Sequence, residues 1–446
     1  MFMKKGKNLI ACLLLCIVLA AMTACGSSNG NEGKNEGGNT PEGGSDDKVE
    51  LTVAVIPGAI KDRTQSEADA FMDQYPNVTV KLNEFPEGSY MDQGPRIFSS
   101  DDKPDVAWFW SNIDQWKKAA EAGSFVPLDD LYASEGWDKA LPASTVAKYT
   151  TKDGKKYAVN TEIVWMPVVY YNKEAFSKAG VELPKTFDDL YAMAPKLKDA
   201  GYIPMTQGVT DAGIMLIDGL LLNSFSLEDY GKLSDSTKKY EGMDYTNPQV
   251  VKAFEELKKM GETLLPKGAG GAKDEQARAL FVQGKAAMYV CGSWSAGDAI
   301  LGKELPADFQ LGSFYFPQLY PDVTAKAGVS SGNAYMVLSG TGKEEWGKKF
   351  VSFIMSKERQ KQLAVNKSMF PSRTDLTGED IAPMGPVYVE MYENLQKIET
   401  GALWHEEVNN EISTAARAQM SAVVSGAQSP ADAAKELQGL LEKTAK

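Results

Sequence analysis

The chain has 446 residues, enough for two or three domains of ordinary size. Apolar residues make up 43% and charged residues 24%, which excludes global disorder and leaves ample material for a core. The formal net charge of −13 argues against nucleic acid and against adhesion to anionic lipid by charge alone, and the single histidine, His405, excludes a His-rich metal site or a two-histidine mechanism.

At the N-terminus, Lys4, Lys5 and Lys7 precede an apolar run over residues 9–22. That run is too short to span a bilayer and has the length of a signal-peptide core. The segment Met22-Thr23-Ala24-Cys25-Gly26 resembles the lipobox of bacterial lipoproteins, with Met22 where Leu is usual. The resemblance implies a signal peptide over residues 1–24 and lipidation of Cys25. An ordinary secretory signal with a chance cysteine is the competing reading, and both export the chain. Cleavage removes Cys12 and Cys16, lipidation consumes Cys25, and Cys291 is left with no partner for a disulfide. Residues 26–47 hold no large apolar side chain, so 25–48 reads as a lipidated cysteine and disordered tether with a reach of roughly 25 Å.

The folded region opens with a β-branched run over residues 49–56, read as a strand ending at Pro57-Gly58. A helix is expected over 66–74, a strand over 78–82, a helix over 90–99 and a strand over 104–110. Strands alternating with helices predict a parallel α/β sheet. Further strands are expected over 157–163, 168–171, 286–290, 309–314 and 334–338. Helices are expected over 186–200, 247–265, 274–283 and 344–362, and almost throughout from residue 386. Neighbouring acids such as Asp129-Asp130 and Asp188-Asp189 fall at helix starts, where carboxylates complement the dipole.

Several of these segments, in order, resemble the extracellular solute-binding proteins of bacterial ABC importers, in the carbohydrate-binding group. They are Pro104-Asp105-Val106 with Gly123-Ser124-Phe125-Val126-Pro127-Leu128, Tyr170-Tyr171-Asn172-Lys173 with Pro184-Lys185-Thr186-Phe187, and Phe281-Val282-Gln283-Gly284-Lys285-Ala286-Ala287-Met288 with Gly292-Ser293-Trp294. Ser425-Gly426 with Ser429-Pro430 matches the usual C-terminus. The resemblance covers residues 49–446. It implies an α/β, two-lobe binding-protein fold of type II, with a ligand cleft between lobes joined by hinge segments. Crossings are expected near 160–163, 316–318 and 370–372. Lobe 1 then takes 49–160 plus 319–370, and lobe 2 takes 161–318 plus 371–446. The resemblance further implies a monomeric receptor on the outer face of a Gram-positive cell membrane, a carbohydrate ligand, a permease partner, and neither cofactor nor metal.

Sugars offer hydroxyls at the ring edge and an apolar C–H face, so flat aromatics beside carboxylates or amides suit them. Four tryptophans follow or end predicted strands, where open α/β sheets bind ligands: Trp108 and Trp110 with Asn112, Trp165 with Glu162, and Trp294. Trp294 leads, because the resemblance implies a stacking aromatic there. A core aromatic is the competing reading for each, and the preferred one for Trp116, Trp137 and Trp346. Asp62 on a strand-to-helix loop, Glu84 at the end of the second strand, and Ser331 and Asn333 beside a returning strand complete the candidates. Catalytic motifs are missing: no second histidine accompanies Trp404-His405-Glu406-Glu407, and no GxSxG or P-loop occurs. A secreted glycosidase, or the same fold binding a non-sugar solute, stays open as an alternative.

Overall fold

The computed structural model describes residues 48–110, 115–233, 243–296, 301–330, 333–365, 370–395 and 397–444; the leader, the tether, Cys25, Asn112 and Ser331 lie outside them. Among the described residues, a first sheet has the order β2-β1-β3-β10-β4. Its strands are β1 (Val49–Val55), β2 (Val78–Glu84), β3 (Val106–Trp110), β4 (Val159–Asn160) and β10 (Asn333–Val337). β1 runs parallel to β2 and β3, whereas β10 is antiparallel to β3 and β4. The expected all-parallel sheet therefore holds only for its first three strands, because β10 enters from the other half of the molecule rather than through a helix crossover. Leu51, Val53 and Val55 on β1 and Phe109 on β3 are buried, and Phe350, Val351 and Ile354 of helix Glu344–Met355 share their core. At Gly94 an added Cβ would stand 2.7 Å from the Phe109 ring, so glycine lets helix Glu87–Phe98 lie directly on β3.

The second half holds two sheets. One has the order β11-β5-β9-β12, from β5 (Glu162–Met166), β9 (Lys326–Ser330), β11 (Phe370–Pro371) and β12 (Glu399–Ala402). The other is β7-β6-β8, from β6 (Val168–Asn172), β7 (Met288–Cys291) and β8 (Leu311–Tyr315), antiparallel throughout. Helix Ile214–Leu222 is buried on every side, as a sequence apolar all round except for Asp218 requires. Helix Phe187–Asp199 starts with a capping box in which Thr186 and Asp189 satisfy each other's backbone amides. That accounts for the Asp188-Asp189 pair without chemistry.

The chain passes between the halves at Thr161, between Ser330 and Asn333, and between Met355 and Phe370. The second passage differs from the expected 316–318. β8 is followed by β9, which pairs with β5 and β12 and not with the first sheet. Residues 326–330 therefore belong with the second half. A second difference concerns Asp62. Gly58, at φ 87°, lets the chain turn straight into helix Ala59–Gln74, so Asp62 sits in a first helical turn rather than a loop.

Candidate ligand-binding site

The carboxyl ends of β1, β2 and β3 lie along one edge of the first sheet, with the start of β10 and the end of β4 beside them. In open α/β sheets this edge receives ligands. Glu84 ends β2 and pairs with Lys61 at 2.7 Å, both groups about two-fifths exposed. Asp62 is exposed on the adjacent helical turn. Trp110 ends β3 half-buried, its ring 6.0 Å from Tyr90 and 4.9 Å from Trp108. Trp108 itself is 1% exposed, with its indole Nε1 buried and unpartnered. Asn333 lies opposite Trp110 in the strand register.

Asn333 leads to Glu162. Its Nδ2 donates to Glu162 Oε1 at 3.0 Å. Arg63 donates to the same oxygen at 3.0 Å and lies 2.6 Å from Oε2, where Thr161 also donates at 3.1 Å. Glu162 is 0% exposed. Burial alone would loosen the Arg63 proton, but the Glu162 charge reverses this and raises its pKa. Expected as an acceptor for ligand hydroxyls, the Glu162 carboxylate is instead filled by protein donors. It joins the helix Ala59–Gln74 and β10 to β5, next to the first chain passage.

Three residues along β5, roughly 10 Å away, Trp165 is also sealed. It is 3% exposed, with its ring 4.6 Å from Phe370 and its amide donating to Ser293 Oγ at 3.1 Å. Trp165 and Trp108 thus present no open face to solvent here. Ser293 begins the short turn Ser293–Ala296, which carries the half-buried Trp294. Tyr170 Oη pins that turn by donating to the Gly292 carbonyl at 2.9 Å. A Cβ on Gly292 would fall 1.8 Å from the Trp294 ring, so the indole packs directly against the backbone there. Gly292→Ala is therefore expected to push the ring outward, shift tryptophan emission to the red and cost about 1–3 kcal/mol of stability. Emission unchanged from the parent would rule that ring position out.

Nothing in the sequence marks Arg63 as the partner of Glu162, and a second polar cluster is equally unmarked. Lys148, on helix Ala143–Tyr149, lies 2.6 Å from Glu407 and 3.7 Å from Glu406 on helix Trp404–Glu407. Ser330 donates to Glu406 at 2.6 Å. These partners stand far apart in the chain, and no local pattern marks them. Trp404 is 1% exposed and donates to the Leu233 carbonyl at 3.3 Å, so it packs in the core. Cys291 is buried, and burial pushes its thiol up to about 11, which suits an inert side chain. Among the described residues no group of three or more His, Cys, Asp or Glu is placed to hold a metal ion, and no helix is long and apolar enough to cross a membrane.

Residues 58–361 match the family described as bacterial extracellular solute-binding protein. A probable sugar-binding periplasmic protein of Mesorhizobium japonicum is 27% identical over 271 residues, 60% of this chain and 62% of its own. The chain thus spans about three-fifths of that relative's length. A solved chitin oligosaccharide binding protein superposes with a TM-score of 0.72 at 21% identity, covering 89% of this chain and 99% of its own. The GacH receptor of Streptomyces glaucescens, solved without ligand and with acarbose, gives 0.70 at 23% identity, covering 89% and 98%. These likenesses show the fold: two α/β lobes joined by crossing segments.

Proposed function

The chain belongs to the bacterial extracellular solute-binding proteins, and from that premise we propose that it captures a carbohydrate, an oligosaccharide, outside the cell and delivers it to the permease of an ABC importer. The family is one of receptors, so the task is capture and release without bond cleavage. One observation carries the sugar reading. Five of the eight tryptophans are sealed in cores and Trp346 is half-buried against Tyr75 on helix Glu344–Met355, while Trp110 and Trp294 stand half-buried at the end of β3 and just after β7. An indole left partly open beside strand ends is the surface on which a sugar C–H face stacks. The relatives named for sugars support the same reading. Lobe 1 is assigned to residues 49–160 plus 333–355 and lobe 2 to 162–330 plus 370–444. Ligand touching both lobes only when they are closed shifts the population toward that form. Cys25 is assigned as the diacylglycerol-bearing residue, tethering the monomeric receptor to the membrane of a Gram-positive cell.

The test is titration calorimetry of the full chain with malto-, xylo-, galacto- and chito-oligosaccharides, each recovered afterwards. The expected result is binding of one series with the sugar intact, weakened at least about tenfold, or about 1.4 kcal/mol, by Trp294→Ala and by Trp110→Ala. Binding unaffected by both substitutions would remove these indoles from the site. Binding of no sugar would turn the assignment to another solute, and a cleaved sugar would overturn the receptor reading.

A further inference from the structure

We propose that Lys148 is a latch between the lobes, an ion-pair contact that sets how readily the receptor closes independently of its ligand contacts. The inference rests on the two-lobe reading above. Helix Ala143–Tyr149 belongs to the first core through Tyr149, and helix Trp404–Glu407 to the second through Trp404. Lys148 and the two glutamates meet through their side chains, close to the second passage, which begins just after Ser330. The Lys148 side chain is 9% exposed, against 7% for Glu406 and 30% for Glu407. Burial pushes the Glu407 carboxyl up, but the Lys148 ammonium more than offsets this and holds it below the usual range. Ser330 fixes Glu406 from the last residue of β9.

The position differs from that of the Arg63–Glu162 pair, which also joins the halves. Arg63 and Glu162 meet beside the passage at Thr161, where a rotation of the lobes moves the partners little. Lys148 and its partners stand on two helices of different lobes, neither of which enters a passage, so a parting of the lobes separates the ammonium from the two carboxylates. A nearly buried ion pair exchanges Coulomb attraction for hydration when it opens, and the two nearly cancel. That makes it suited to poise an equilibrium that a ligand then tips. Lys148 acts by positioning the lobes and not by contact with the ligand.

The test is the distance between nitroxides on Lys118→Cys and Glu411→Cys, exposed sites on helices Gln115–Glu121 and Asn410–Ser425, measured by double electron–electron resonance on the full chain without sugar. Lys148→Met is expected to raise the share of the long-distance population about tenfold, Glu407→Gln to raise it less, and Lys148→Arg to restore the parent distribution. Parent-like distances in both Lys148→Met and Glu407→Gln would overturn the latch. Glu407→Gln, at a half-buried position, keeps the test open should Lys148→Met fail to fold. Sugar binding with unchanged distances sinks only the latch. Lengthened distances in a chain that binds no sugar sink only the ligand assignment.

Discussion

Arg63→Met is expected to cost about 3–5 kcal/mol, because it strands a carboxylate with no exposed surface. Glu162 is 0% exposed and takes two close contacts from the guanidinium, one on each oxygen. Without Arg63, only the neutral donors Thr161 and Asn333 face it among the contacts described above. Neutral donors cannot repay the desolvation of an anion. The double replacement Arg63→Met with Glu162→Leu is expected to recover most of the loss, since apolar residues of similar volume often replace a buried ion pair at little cost. About 1 kcal/mol should remain missing for the lost partner of Asn333. Urea unfolding of the single and double variants measures both. A loss below about 1 kcal/mol in Arg63→Met would show that water reaches Glu162 and that the pair is not a buried one.

The same pair shows what the sequence could and could not disclose. β1, β2 and β3 were legible, because β-branched runs ending at Gly58 and Glu84 and an aromatic run ending at Trp110 carry their own signal. Glu162 stood out as a carboxylate next to a strand, and nothing local revealed that Arg63 would fill it from 99 positions earlier. Trp108 and Trp110 differ by two residues and share a face, so only the sheet register decides that one is sealed and the other ends at the rim. Trp165 is covered by Phe370, which arrives two hundred residues later. β9 escaped notice because it contains Gly328. A Cβ there would come 2.4 Å from the Met166 carbonyl, so close packing against β5 demands the residue that weakens the strand signal. The crossing misplaced at 316–318 follows from that one missed strand.

Asp218→Ala is expected to be comparably damaging, at about 3–5 kcal/mol, and the pH dependence of the loss identifies its source. Asp218 is 0% exposed on the apolar helix Ile214–Leu222. It accepts the His405 amide at 3.1 Å and pairs with the imidazole through Oδ2 and Nδ1. Burial on its own would lower the His405 pKa. The Asp218 charge and hydrogen bond, helped by Glu406 and opposed by Arg417 on helix Asn410–Ser425, raise it above the ordinary value instead. A folded-state pKa raised above the unfolded one means that the native state holds the proton more tightly. The stabilisation is therefore fully present below about pH 6.5, where the unfolded imidazole is also charged. It is lost as pH rises through the folded pKa, with a one-proton slope of at most about 1.4 kcal/mol per unit. His405 is the sole histidine, so no other imidazole can mimic that slope. Asp218→Asn keeps the shape and removes the charge, and its stability curve should run flat above pH 6.5 where the parent's falls. Urea midpoints collected from pH 5.5 to 9 decide it: parallel curves for parent and Asp218→Asn would mean that the imidazole is neutral in the fold and that the pair contributes only a hydrogen bond.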